Sequence, residues 1–263
     1  MYNIIMKNPF ALTIFLNVLL VWHGSLKAEV ENYKADICVY GGTASGVMAA
    51  LAAEKEGSTV ILIEPTRCLG GMTGGGINHL DWGKGETVGG STYKILMEGL
   101  KDQKRAHGGH AKYGIGNKQY RERFKKLVKD RGITVIYDHR VGKVQVGNET
   151  INKPTREQPI ALGEKIVSKN KNNFIQSIIL DYAPVDETGC PIPVPKKRNV
   201  IAVSAKVFID CSYEGDILGM SGVRYTWGRE SREHYDESLA GVRPSLWIHD
   251  IDPYVEPGNP KSG

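Results

Sequence analysis

A chain of 263 residues with 41% hydrophobic and 8% aromatic content can bury one substantial core or two small ones, so a folded globular protein is expected. Its formal charge of +5, or +3 without Lys7 and Lys27 of the leading segment, is too small to imply nucleic acid or an anionic membrane surface as a partner. The four cysteines, Cys38, Cys68, Cys190 and Cys211, show no C-x-x-C spacing, which argues against a zinc site or an iron–sulfur cluster.

Residues 1–28 carry two lysines, no acid, and an apolar run from Phe10 to Trp22, followed by Ser25-Leu26-Lys27-Ala28. This reads as a signal peptide cut after Ala28, so a secreted or periplasmic protein is expected. The apolar run is about 13 residues, short of the roughly 20 that span a bilayer, so no membrane span remains after cleavage.

Asp36 to Tyr40 forms a short apolar strand, Gly41-Gly42-Thr43-Ala44-Ser45-Gly46 a glycine turn, Val47 to Gly57 a small-residue helix, and Thr59 to Glu64 a second strand. The unit is β-α-β. The turn matches G-x-G-x-x-G at its first and last positions and carries Thr43 in place of the middle glycine. Glu64 ends the second strand 23 residues beyond Gly41, where a ribose-binding carboxylate belongs. Gly41 permits the sharp exit from the strand and Gly46 close packing of helix on sheet, while the helix N-terminus offers N–H groups to a pyrophosphate. The Thr43 hydroxyl is expected to add a contact there. Cys38 and Cys211 fall in strand-like runs and read as small buried hydrophobes, with one disulfide among the four thiols left open.

The second strand leads into Pro65-Thr66-Arg67-Cys68-Leu69-Gly70-Gly71-Met72-Thr73-Gly74-Gly75-Gly76. Five glycines in the last seven residues exclude a helix or an ordinary strand on propensity, so the backbone is expected to approach something closely, a flat ligand being one candidate. His79 and Asp81 follow directly and are the candidate catalytic pair, His79 as a base or a covalent attachment point, against a purely local hydrogen-bonding role. His107-Gly108-Gly109-His110 lacks a carboxylate or cysteine to complete a metal set and reads as a polar loop.

Tyr120, Phe124, Leu127 and Val128 recur at helical spacing, with basic residues mostly on other faces, before a strand from Ile133 to Tyr137. Short β-like segments around Val144, Ile166, Phe174 to Tyr182 and Asn199 to Ile209 suggest an antiparallel meander inserted around residues 140–200 of an α/β domain. Asn148-Glu149-Thr150 is a glycosylation sequon that matters only in a eukaryote. Residues 251–263 form a Pro- and Gly-rich stretch with no closing helix or strand.

Three stretches in this order carry a resemblance: Val39 to Gly46, Glu64 to Gly71, and Val207-Phe208-Ile209-Asp210-Cys211-Ser212-Tyr213-Glu214-Gly215-Asp216 followed by Gly222 to Glu230. Together they resemble the FAD-dependent oxidoreductases of the two-dinucleotide-binding-domain type, within the bacterial xanthan-lyase-like and heterodisulfide-reductase-like group. The resemblance implies a Rossmann-like FAD-binding domain of the GR2 type with the β-meander inserted, spanning residues 29–235, and the start of a substrate domain or connecting loop over 236–263. It further implies a chain that stops in mid-domain. By resemblance, Gly41 to Gly46 hold the FAD pyrophosphate and Glu64 the ribose, with Arg67 beside it. Gly70, Gly71, Met72 and Thr73 lie near the diphosphate and flavin, and Asp210, Gly215 and Asp216 contact the cofactor again. Cys211-Ser212 departs from the family's usual Ala-Thr, although Ser212 keeps a hydroxyl. The implied activity is flavin-mediated hydride or electron transfer between a small-molecule substrate and an electron acceptor, neither of which the sequence identifies; it also leaves the oligomeric state open. A non-catalytic secreted fragment is the alternative. A nicotinamide-dependent dehydrogenase ranks third, because it needs neither the second glycine stretch nor Gly215-Asp216.

Overall fold

The structure is a computed structural model and describes residues 30–75, 90, 91, 117–153, 174–223, 225, 232–238, 240 and 256. The chain divides into two units, residues 1–222 and 223–263. The second is described only in part: a short helix, Arg232–Tyr235, with the Arg232 side chain donating to the Ala240 carbonyl at 3.1 Å.

The first unit begins with β1 (Glu31–Tyr40), α1 (Ala44–Lys55) and β2 (Val60–Glu64). The two strands pair in parallel, from Ile37 with Val60 to Tyr40 with Ile63. The sequence places the start of β1 at Asp36, but the strand begins five residues earlier because Glu31 to Ala35 find parallel partners in Ile201 to Ala205. The helix also starts earlier than its apolar pattern suggests. The Thr43 hydroxyl accepts from the Gly46 N–H at 3.2 Å, capping α1 and drawing Ala44 and Ser45 into its first turn. At the far end of the strand pair, Asp36 accepts from the Thr59 amide (2.9 Å) and hydroxyl (2.6 Å) and pairs with Lys206 (2.7 Å). Lys206 and then Thr59 hold its carboxyl well below the usual carboxylate range.

The glycine-rich stretch after β2 corrects the sequence expectation. Gly71–Gly75 is a short helix, α2, despite a helix propensity cost of roughly 1 kcal/mol per glycine. Tertiary packing overrides propensity here, because only glycine fits. A Cβ on Gly74 would lie 2.1 Å from the Leu69 carbonyl oxygen, and one on Gly70 would lie 2.3 Å from Phe124 Cδ2. The close approach expected from composition is therefore made by this chain's own α3 (Asn117–Asp130), whose Tyr120, Phe124 and Val128 are buried at the predicted helical spacing.

Next come β3 (Thr134–Tyr137), β4 (His139–Val146), β5 (Glu149–Asn152), β6 (Ile175–Tyr182), β7 (Lys197–Asp210) and the short helix α4 (Asp216–Met220). The strands form one seven-stranded mixed sheet in the order β3-β2-β1-β7-β6-β4-β5. β3, β2, β1 and β7 are mutually parallel. β6, β4 and β5 join them antiparallel, as the expected meander. The segment around Ile166 lies outside the described residues. β7 belongs to both halves: Ile201 to Ser204 pair with β1 on one edge and with β6 on the other.

Strand periodicity divides the core between the two faces of the sheet. Val39, Leu62 and Val60 face α1 and α3 and pack with Val47, Ala50, Leu69, Tyr120 and Phe124. Cys38, Tyr40, Ile61 and Ile63 face the other way and join the meander and α4 through Val141, Ile178, Ile217 and Met220. β2 is buried along its whole length, as a parallel strand covered on both faces should be. All four thiols are free, and burial pushes that of Cys38 up to about 12. Among the described residues no helix is long and apolar enough to cross a membrane.

Candidate cofactor site

The carboxyl ends of the parallel strands meet the first glycine turn, and the glycines there answer to contacts with the chain itself. Gly41 has φ +93°, and a Cβ on it would lie 2.7 Å from the Ser212 amide nitrogen. A Cβ on Gly46 would lie 1.9 Å from the Gly41 carbonyl oxygen, so α1 sits on β1 as closely as backbone allows. The turn is thereby clamped between the head of α1 and the loop that follows β7. The Thr43 hydroxyl completes the clamp by donating to the Cys211 carbonyl at 2.9 Å while it caps α1. That hydroxyl is thus engaged by the chain itself, and the expected contact to a phosphate through it has no support in the geometry.

Glu64 is 6% exposed, and its carboxylate accepts from three donors of its own chain. Oε2 takes the Gly42 N–H at 2.8 Å; Oε1 takes the Thr66 amide at 2.7 Å and the Thr66 hydroxyl at 2.5 Å. Burial nonetheless raises its pKa, outweighing the hydrogen bonds from Thr66 and Gly42 that pull the other way. Two carboxylate oxygens have about four acceptor positions, so among the described residues one position stays open for a further donor.

The third motif turns on Asp210 and Asp216. Asp210 accepts from the Ser212 amide and hydroxyl (3.0 and 2.7 Å) and from the Ile217 and Leu218 amides (2.8 and 2.9 Å), capping α4. The hydroxyl that Ser212 retains also accepts the Asp216 N–H at 3.1 Å. Gly215, at φ +66°, swings Asp216 onto the first position of α4. The Asp216 carboxylate then meets the Tyr40 hydroxyl at 3.2 Å through Oδ2 and the Lys153 ammonium at 2.7 Å through Oδ1. Tyr40 is fully buried, and its oxygen also accepts from the Val141 N–H at 3.2 Å. Burial first and the Asp216 charge next raise its pKa well above the ordinary tyrosine value. Tyr40→Phe is expected to destabilise the fold by about 1–2 kcal/mol in urea unfolding, because the Val141 N–H and one Asp216 oxygen lose their partner together.

These groups border one cavity of about 530 Å³. Of the residues the sequence singled out, Gly41, Thr43, Glu64, Gly71, Met72 and Asp216 line it. Gly42, Ala44, Ser45, Gly46, Gly70, Thr73, Asp210 and Gly215 stand in the same loops and helix ends without lining it. Arg67 turns elsewhere: its guanidinium is held by Asp138 in a fork of 2.7 to 3.0 Å. His79 and Asp81 lie outside the described residues.

The cavity also takes residues that sequence reasoning missed. Tyr213 accepts the Met72 N–H on its hydroxyl at 2.8 Å, tying the loop after β7 to the start of α2. It sits inside the quoted third motif, so its place was the available signal. Tyr40 ends β1 and reads from sequence as one more apolar strand residue. Arg140 and Lys153 come from the meander, and nothing in their own neighbourhood marks them. They are the only cations among the described lining residues, which also include the acids Glu64, Glu214 and Asp216.

An α/β unit whose glycine turn, strand-end acid and third motif converge on one cavity has the layout of a dinucleotide-binding domain. The sequence profile of the FAD dependent oxidoreductase family matches residues 36–161 and 164–259, and the chain belongs to that family. FAD is the cofactor of the family, and oxidoreduction its class of reaction. No curated protein matches the chain. Among solved structures it is similar to the L-proline dehydrogenase of P. horikoshii, at 16% identity and a TM-score of 0.34 over 70% of this chain and 23% of that one. It is similar to a flavocytochrome c3 fumarate reductase at 16% identity and a TM-score of 0.37 over 75% and 36%. A geranylgeranyl bacteriochlorophyll reductase-like protein of Thermoplasma acidophilum gives 16% and 0.36 over 68% and 39%. The chain thus spans well under half the length of each of these three.

Proposed function

We propose that the first unit is a Rossmann-like FAD-binding domain of the GR2 type and that the chain serves a flavin-dependent oxidation or reduction of a small-molecule substrate. One observation carries this reading: the first glycine turn, Glu64, the second glycine stretch and Asp216, spread over some 175 residues, border a single cavity. The cavity suits the group. Glycine keeps the strand-to-helix turn tight, the head of the twelve-residue α1 directs N–H groups toward an anion, and two carboxylates stand ready to accept from hydroxyls. In this reading residues 41–46 hold the diphosphate, Glu64 accepts from the ribose, and Asp216 accepts from a further hydroxyl of the cofactor. Gly71, Met72 and Tyr213 close the cavity's other side. When bound, FAD would supply two-electron redox chemistry between a substrate and an electron donor or acceptor. His79 and Asp81, just beyond the second glycine stretch, are the proposed groups for moving a proton. The N-terminal segment supports export, which N-terminal sequencing of the protein from its native host would test by a mature start at Glu29.

The test of cofactor binding is the visible absorption spectrum of the purified protein before and after incubation with FAD and desalting. Retained absorbance near roughly 370 and 450 nm, the bands of the flavin itself, is the expected result. A colourless protein that keeps no flavin would overturn the reading and favour a non-catalytic chain.

A further inference from the structure

We propose that Lys153, brought to the cavity by the antiparallel insertion, is a positioning residue that fixes the Asp216 carboxylate for the cofactor. This rests on the reading of the cavity as an FAD site. Asp216 is held by three elements at once. Its amide is fixed by Ser212, its Oδ2 by Tyr40 at the end of β1, and its Oδ1 by Lys153 just after β5. Lys153 is itself anchored, its N–H donating to the Gly142 carbonyl at 2.8 Å across the β4–β5 hairpin. The Asp216 side chain is 18% exposed and that of Lys153 35%, so water screens this pair much less than a surface one.

The charge of the cavity gives the pair its purpose. The described lining residues include three acids, Glu64, Glu214 and Asp216, and two cations, Arg140 and Lys153. A dinucleotide adds two more negative charges at the diphosphate. Without Lys153, the Asp216 side chain would keep only the Tyr40 hydroxyl among its described partners and would be free to swing away. With Lys153 in place it stays aimed, an acceptor for a hydroxyl in a cavity that an anion can still enter. The meander thereby contributes to the site and does more than extend the sheet.

The experiment titrates the full chain with FAD, read by quenching of flavin fluorescence, for wild type, Lys153→Met, Lys153→Arg, Asp216→Asn and the double variant Lys153→Met with Asp216→Asn. Thermal unfolding by circular dichroism accompanies each. Lys153→Met is expected to weaken FAD about tenfold, the scale of one charge-assisted contact, while Lys153→Arg restores affinity to within about threefold. Asp216→Asn is expected to match Lys153→Met, and the double variant to bind no worse than the weaker single variant, as residues acting through one contact should. Undiminished FAD affinity in a folded Lys153→Met overturns the inference, as does a double variant whose loss is the product of the two single losses. If Lys153→Met does not fold, the comparison of Asp216→Asn with the double variant decides, since equal affinity supports the inference and a further loss overturns it. Wild-type protein that takes up no FAD refutes the cofactor reading and this inference with it; wild type that binds while Lys153→Met binds equally well refutes this inference alone.

Discussion

Replacing Gly46 by alanine is expected to destabilise the first unit by about 3 kcal/mol and to abolish retention of flavin. Helix propensity alone predicts the opposite sign, since Gly to Ala inside a helix gains about 1 kcal/mol. Sterics decide the sign here. The new Cβ would stand 1.9 Å from the Gly41 carbonyl oxygen and 3.2 Å from the Cys211 Cβ. The first of these is backbone, with no flexible end to move aside, so α1 must lift from β1. Overpacking costs typically about 1–3 kcal/mol, and a backbone clash belongs at the top of that range. Gly219 in α4 provides the control, because a Cβ there meets nothing within 4 Å. Urea unfolding should show Gly219→Ala unchanged or slightly stabilised and Gly46→Ala sharply destabilised; equal midpoints for the two would refute the close contact of helix and strand.

Glu64→Gln is the second substitution of large effect, expected to cost about 2 kcal/mol at neutral pH by leaving at least one of its three buried or part-buried donors facing an amide N–H₂. Its pH dependence tests the electrostatics. Burial raises the Glu64 pKa above its ordinary value of 4.5, so the folded protein holds this proton more tightly than the unfolded chain. Stability contributed by such a group is fully present below the ordinary value and is lost as pH rises through the raised one. Glutamine does not titrate. The stability advantage of wild type over Glu64→Gln should therefore be greater near pH 4 than at pH 7, with other groups cancelling in the difference. An advantage that instead grows with pH would show that the hydrogen bonds from Gly42 and Thr66 outweigh burial.

What the sequence revealed of this molecule follows the distance over which each feature is determined. The β-α-β unit was legible because its signals are local: alternating apolar residues, a glycine turn, and an acid at the strand's end. The buried face of α3 was legible for the same reason, Tyr120, Phe124 and Val128 falling one helical turn apart. The start of β1 was not, since Glu31 to Ala35 become strand only by pairing with residues 201–205. Gly71–Gly75 misled because propensity forbids the helix that contacts with Leu69 and Phe124 impose. Asp210 and Asp216 were legible as a pair by motif, yet only coordinates separate the helix cap from the cavity carboxylate. Lys153 was invisible, because its role depends on a hairpin's register and on a partner 63 positions away.

The double membership of β7 bears on how the molecule comes to exist. Tyr40 and Asp210 lie side by side in the sheet, yet 170 residues separate them along the chain. β1, α1 and β2 leave the ribosome together, but one edge of β1 has no neighbour until the meander has been made and β7 arrives to fill it. Parallel pairing across so long a loop is slow, and the waiting edge is exposed to aggregation. The loop that closes the cavity is the one that follows β7. Completion of the sheet and completion of the cavity therefore wait on the same strand.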